Sequence, residues 1–168
     1  MRIAAAVAVS FLLSLAAAPR AQSGLLDRVL HPFGAPKRAP KYSDPRLRGL
    51  LLEISSATEP VRLSEVRQMR VRAVLSNISG AATTLDFPTE QRIEIQLLNP
   101  VGEVLTKWSD NRVFAQQNGT LVVNPGENIV YEEGIATREL APGKVYTVEV
   151  FFPRYPELRA RQKFITAP

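Results

Sequence analysis

The sequence predicts an all-β fold, an antiparallel immunoglobulin-like β-sandwich. Beyond Leu47, runs of four to twelve residues have the apolar and polar alternation typical of half-buried strands, and Gly, Pro, Asn and Asp separate them. No segment after residue 47 has convincing helical periodicity. Eight or nine short strands at spacings near ten residues are typical of sandwiches, with a small barrel as the alternative.

The first predicted strands have apolar residues on their inward positions. "LRGLLLEISSA" alternates weakly from Leu50 to Ile54. In "VRQMRVRAVLSN", alternate residues from Met69 onward point inward, and the arginines between them face water. After a turn at "NISGAA", Leu85 and Phe87 share one face of the strand "TTLDF".

The clearest alternation lies in the centre of the domain, in "RIEIQLL". It places Ile93, Ile95 and Leu97 on one face and Glu94 on the other, toward solvent. The following "NPVGE", with Gly102, suits a tight hairpin turn. The partner strand is "EVLTKW".

Four further strands complete the predicted sandwich: "TLVVN", "NIVYEE", "KVYTVEVFF" and the terminal "RQKFIT". "NPGE" joins the first two, and the turn "APGK", with Pro142 and Gly143, precedes the third. Tyr155 stands between Pro153 and Pro156, in a stretch too rich in proline for a central strand. This stretch is therefore expected to be an exposed loop or an edge-protecting bend.

Residues 1–21 have the three parts of a secretory signal peptide: a basic start, a short apolar run and small residues before Ala21. Because the apolar run is shorter than a bilayer requires, a membrane association is expected only if this segment is retained. Residues 22–46 carry four prolines and are expected to form a semi-rigid linker. The domain then spans residues 47–168, and the protein is expected to be secreted or periplasmic.

Composition excludes several classes of function. Without residues 1–21 the formal net charge falls from +5 to +3, because Arg2 and Arg20 are lost, and this excess is too small and scattered for a nucleic-acid partner. The chain has no cysteine, and its one histidine, His31, lies in the linker. Catalytic triads, thiol nucleophiles and zinc-thiolate sites are therefore excluded from the domain.

Carboxylates leave two weaker alternatives open. An acid/base pair could form among Asp86, Glu90, Glu94 and Asp110, although no spacing requires it. Oxygen ligands in residues 109–111 and 124–128 could hold calcium, but the spacing of a calcium loop is absent. The expectation is a non-enzyme with no catalytic residue, cofactor or metal. Asn77 and Asn118 match the pattern of a glycosylation acceptor.

The segment "KWSDNRVFAQ" gathers polar groups around the only tryptophan, Trp108. Trp108 is expected to anchor the core at a strand end, and the polar residues after it to form a turn. Arg112 is the member of this segment that this interpretation leaves open, since its side chain could either pack along the sheet or face a partner. The candidate contact residues, within segment 109–120, are Asp110, Arg112, Val113 and Phe114.

The order of these features resembles the BsuPI family, the domain of a bacterial intracellular proteinase inhibitor. The resemblance covers "TLDFPTEQRIEIQLLNPVGEVLTKWSDNRVFAQ" and the later "NPGENIVYEEGIA" and "LAPGKVYTVEVFF". It implies an immunoglobulin-like sandwich and a protease-binding function. The positions that carry it are Leu85, Phe87, Gln91, Ile93, Ile95, Gly102, Trp108, Ser109, Arg112, Phe114, Pro142 and Gly143.

Three hypotheses for the function follow. The first is an exported inhibitor that binds a protease through exposed loops, without turnover. The second is an adhesion or assembly module that binds another envelope protein and has no inhibitory activity. The third is carbohydrate binding through Trp108, Tyr131 or Tyr155. The oligomeric state is not predicted.

Overall fold

Ten β-strands and two short 3-10 helices make up the part of the chain that the computed structural model describes, residues 38–56 and 60–168. The predicted signal peptide and most of the predicted linker lie outside these residues. Eight or nine strands were predicted, and the two-residue β2 is the strand that the sequence did not indicate. The strands are β1 (Leu50–Ser56), β2 (Val61–Arg62), β3 (Gln68–Asn77), β4 (Thr83–Phe87), β5 (Glu94–Leu98), β6 (Val104–Lys107), β7 (Gly119–Val123), β8 (Asn128–Ala136), β9 (Val145–Phe152) and β10 (Tyr155–Ala167).

The strands form three sheets, in the orders β1-β3-β8, β2-β10-β9-β5-β6 and β4-β7. Every pairing is antiparallel except that of β10 with β2. The first two sheets have the topology of an immunoglobulin sandwich, in which strands A, B and E face strands C, F and G. Here β1, β3 and β8 stand in the places of A, B and E, and β5, β9 and β10 stand in the places of C, F and G. The predicted all-β, immunoglobulin-like sandwich is confirmed, and the described strands do not close into a barrel.

The core lies between the sheets and is filled as the alternation predicts. Met69 and Leu75 of β3 are fully buried, and the arginines between them are exposed. Leu85 of β4 and Ile95 of β5 are likewise buried. In each of these strands a period of two places one set of side chains against the opposite sheet.

Phe152 of β9 joins the three sheets. Its ring lies 5.9 Å from that of Tyr131 on β8 and 6.1 Å from that of Phe87 on β4. The contact with Tyr131 is edge-to-face, an arrangement favoured by aromatic quadrupoles. Tyr131 is partly buried against the core, and this burial raises the pKa of its hydroxyl above the ordinary value.

Of the two alternatives for the stretch around Tyr155, an exposed loop or an edge-protecting bend, the exposed loop is wrong. Tyr155 begins β10 and is only 3% exposed, and the strand absorbs Pro156 through an irregularity in its pairing between Tyr155 and Arg159. The Tyr155 hydroxyl accepts from the backbone N–H of Asp86 at 2.9 Å and donates to its carbonyl at 3.1 Å. The bulge thus turns the ring inward, edge-on against Phe87.

Asn77 at the end of β3 organises the turn that follows it. Its side chain is fully buried and donates to the carbonyls of Ala81 and Val123, both at 2.8 Å. It also accepts from the backbone N–H of Ser79. Asn77 matches the pattern of a glycosylation acceptor, but its amide is buried and engaged in these hydrogen bonds. Its role is therefore to stabilise the turn.

Three turns between strands use glycine in the left-handed region. Gly102, between β5 and β6, has φ of 92°, Gly126, between β7 and β8, has 75°, and Gly143, before β9, has 71°. The predicted Pro-Gly turns are thereby confirmed. Although "NPGE" does join β7 to β8, the two strands pair with different partners, β4 and β3.

The end of the predicted linker is held against the domain. Tyr42 packs on the core and donates its hydroxyl hydrogen to the Leu50 carbonyl at 3.2 Å. The backbone N–H groups of Ser43 and Asp44 both donate to the carboxylate of Glu157 on β10. Over the described residues, no helix has the length and apolar character needed to cross a bilayer.

Candidate functional site

Trp108 anchors the centre of the candidate site. It begins the short 3-10 helix Trp108–Asn111, which follows β6 at the edge of the five-stranded sheet. Its indole is partly buried against the core, and its Nε1–H donates to the carboxylate of Glu133 on β8, in the other sheet, at 3.0 Å. Trp108 therefore anchors the strand end as predicted, and Glu133 is the polar partner that a buried indole requires.

Arg112, the residue after this helix, contacts the same two groups, the Trp108 ring and the Glu133 carboxylate. Its guanidinium carbon lies 4.0 Å from the centroid of the Trp108 ring, and its Nη2 lies 3.0 Å from Glu133. Its backbone is extended, with φ of −125° and ψ of 145°. Arg112 is thus held against the protein by a cation–π contact and an ion pair, although its side chain is still 43% exposed.

Phe114, which follows Val113 in the chain, also packs its ring against Trp108. The centroids of Phe114 and Trp108 are 5.6 Å apart, in a tilted arrangement. One residue further on, the carbonyl of Ala115 accepts from the backbone N–H of Glu90 at 3.0 Å. The chain is thus held on both sides of Val113.

Val113 itself is fully exposed, at 100%. We call residues 112–116 the Val113 loop. Because side chains alternate along an extended chain, fixing Arg112 and Phe114 on one ring directs Val113 away from the domain. Of the predicted contact residues, the structure thus makes Arg112 and Phe114 anchors and Val113 the residue presented to solvent.

Asp110 supports the helix that starts the loop. Its carboxylate accepts a hydrogen bond from the backbone N–H of Lys107 at 3.3 Å, and this bond caps the N-terminus of the helix. Glu127 likewise closes the "NPGEN" turn by accepting from Asn124. Both segments considered for calcium are therefore stabilised turns, and in the described part of the chain no three His, Cys, Asp or Glu side chains come together as a possible metal site.

Glu94 lies under the same helix and corrects a second expectation. It points away from Ile95 as the alternation predicts, but it is only 6% exposed because the helix covers it. Its carboxylate accepts from the backbone N–H of Ser109 at 3.2 Å, from the Ser109 hydroxyl, and from the Gln91 amide at 3.2 Å. These bonds make Gln91 and Ser109 structural partners, and they engage Glu94 fully.

Sequence reasoning did not find Glu94 and Glu133 as organisers of the site. In "NIVYEEG" two glutamates are adjacent, and only the register of β8 shows that Glu133, rather than Glu132, reaches Trp108. For Glu94 the alternation indicated solvent exposure. No signal within one strand shows that a helix from another part of the chain will cover it.

The aromatic candidates for carbohydrate binding are occupied by contacts within the protein. Arg112 lies over the Trp108 ring, Tyr131 packs on Phe152, and Tyr155 is buried. Sugar stacking needs an open ring face. The carbohydrate hypothesis therefore has no support from Tyr155 and little from the other two rings.

The candidate site is thus an exposed valine on a loop that is held on both sides, next to the edge strand of the five-stranded sheet. The family model described as "BsuPI: Intracellular proteinase inhibitor" matches residues 55–156, more than half of the chain. The chain belongs to the BsuPI family, a family of proteinase inhibitors, as its motifs suggested. No curated protein matches the sequence significantly.

Solved structures share only a general likeness with this chain. A β-glucuronidase from Bacteroides uniformis is 13% identical, with a TM-score of 0.40 over 69% of this chain and 14% of that one. A β-glucosidase from Listeria innocua in complex with glucose is 13% identical, with a TM-score of 0.41 over 71% of this chain and 16% of that one. The chain thus spans about one sixth of these enzymes or less, and scores this low support no inference about function.

Proposed function

We propose that this protein is an exported, non-catalytic proteinase inhibitor that binds its protease through the Val113 loop. The observation that supports this proposal most directly is the position of Val113, which is fully exposed between two residues that pack on the ring of Trp108. Family membership supports protease binding in general. The signal-like residues 1–21 support export, although the family description names an intracellular inhibitor.

The extended backbone at Arg112, where the loop begins, suits a protease cleft. An extended peptide binds as an added strand, through its main chain, while alternate side chains enter pockets of the partner. The anchors on Trp108, Glu133 and Glu90 hold the loop before any partner arrives. A loop ordered in advance loses less conformational entropy on binding, so it binds more tightly than a flexible one.

Inhibition assays test this function directly. The purified protein should inhibit at least one extracellular serine protease or metalloprotease at stoichiometric amounts and remain uncleaved. Replacement of Val113 by Gly, which removes the exposed side chain and loosens the loop backbone, should weaken inhibition strongly, and the same change at Val101, an exposed residue in the β5–β6 turn that keeps its backbone N–H bond to Asn99, should not. No inhibition across a broad panel, together with capture of a non-protease partner, would instead favour an envelope binding module.

A further inference from the structure

We infer that Val113 occupies the primary specificity pocket of the target, and that the target is a protease whose pocket accepts a small aliphatic side chain. This inference rests on the proposed function and deepens it. A protease that requires a cation or a large aromatic ring in this pocket is not the expected target.

Exposure singles out Val113 within the loop. Val113 is 100% exposed, whereas the ring of Phe114 packs on Trp108. A side chain that enters a deep pocket must be free of contacts with its own protein. In the described part of the chain, Val113 is the large apolar residue with the greatest exposure, ahead of Val101 at 79%.

Arg112 is a poor candidate for the same pocket. To enter it, the guanidinium would have to leave both the ring of Trp108 and the carboxylate of Glu133. Glu133 would then keep only the indole N–H as a partner. Val113 breaks no such contact, and its branched side chain has little rotamer freedom to lose on binding.

The backbone on both sides of Val113 supports this assignment. Arg112 is extended, and the hydrogen bond from Glu90 holds the Ala115 carbonyl. Asn111 belongs to the 3-10 helix and therefore lacks an extended main chain. Val101 is also exposed, but it lies in the tight β5–β6 turn beside Gly102 and not in an extended segment.

Exchange of the side chain at position 113 tests the inference. The wild-type protein, Val113→Lys and Val113→Phe would be assayed against proteases with a small apolar pocket, an acidic pocket and a large apolar pocket. Because this pocket sets specificity, Val113→Lys should lose at least about 100-fold in inhibition of the first protease and gain inhibition of the second. Val113→Phe should shift inhibition toward the third.

Val101→Lys is the matched control, since it places the same charge at another exposed valine and should leave all three inhibition constants unchanged. Urea midpoints of all variants should match that of the wild type, because neither valine is buried. If the wild type inhibits but the profile does not follow residue 113, Val113 is not in the pocket and the proposed function stands. If the wild type inhibits none of a broad panel, the proposed function and this inference both fail.

Discussion

Glu133 is the residue that holds the candidate site together. Its carboxylate accepts from the indole of Trp108 and from the guanidinium of Arg112, both at 3.0 Å. Trp108 in turn contacts Phe114. One carboxylate on β8 therefore holds two side chains that lie 21 and 25 residues earlier in the chain, Arg112 and Trp108, and through Trp108 it supports Phe114.

Glu133→Gln should loosen the Val113 loop without unfolding the domain. The substitution removes the charge that holds Arg112, at a stability loss of about 1 kcal/mol or less, because the pair is partly solvated. Amide hydrogen exchange in the loop should become faster. Glu132→Gln is the matched control, since Glu132 pairs with Arg72 on the other face of β8. Equal exchange in both variants would contradict this role for Glu133.

Glu94→Ala should destabilise the domain more than any exposed carboxylate change. It leaves the Ser109 N–H, the Ser109 hydroxyl and the Gln91 amide without their shared acceptor, at a loss of about 3 kcal/mol. Urea unfolding monitored by circular dichroism would measure this loss. The control is Glu90→Ala, which removes an exposed side chain and keeps the Glu90 backbone bond to Ala115. A loss equal to that of the control would show that Glu94 is dispensable.

At the scale of elements, the start of β1 and the turn after β3 fit closely together. The carbonyl of Gly49 accepts from the backbone N–H of Ile78 at 2.8 Å. Gly49 has φ of 81°, and a Cβ there would lie 2.4 Å from the Cβ of Ser79. Conformation and space therefore both require glycine at this junction.

Gly49→Ala should lose about 2 kcal/mol or more of unfolding free energy, from backbone strain and the clash with Ser79. Gly80→Ala is the internal comparison in the adjoining turn, where a Cβ meets nothing within 4 Å. It should be neutral or stabilising by a few tenths of a kcal/mol, because alanine reduces the freedom of the unfolded chain. Similar melting temperatures for the two variants would be inconsistent with this account.

At the scale of the whole molecule, contacts between sheets determine whether the domain unfolds as a unit. Phe152 touches both Phe87 and Tyr131, which belong to the two other sheets. The domain has no cysteine, so packing of this kind must replace disulfides. We therefore expect one cooperative transition, in which the loop and the sheets unfold together.

Phe152→Ala should lose about 3 to 5 kcal/mol, because it removes a buried ring and leaves a cavity between the sheets. Phe151→Ala is the neighbouring control, since Phe151 is half-buried on the outer face beneath Arg159 and should lose far less. Fluorescence of the single tryptophan reports on the site, and circular dichroism reports on the sheets. Transitions of wild type that do not coincide would contradict a single cooperative unit.

The alternation of side chains predicted most of the strands because burial of one sheet face imposes a period of two on each of them. It failed where a strand bends or where another segment covers its outer face. Tyr155 looked exposed because prolines flank it, yet a bulge turns its ring into the core. Asn77 matched a three-residue pattern, yet its amide is buried in a turn.

The sequence by itself determined the sandwich, the family and the exclusion of histidine and cysteine chemistry from the domain, because these depend on composition and on local periodicity. Only the tertiary structure decided which members of the segment around Trp108 are anchors and which is presented. Glu94, Trp108 and Glu133 belong to three separate elements. Pairing of distant strands brings them together, and this is why Arg112 is held while Val113 is exposed.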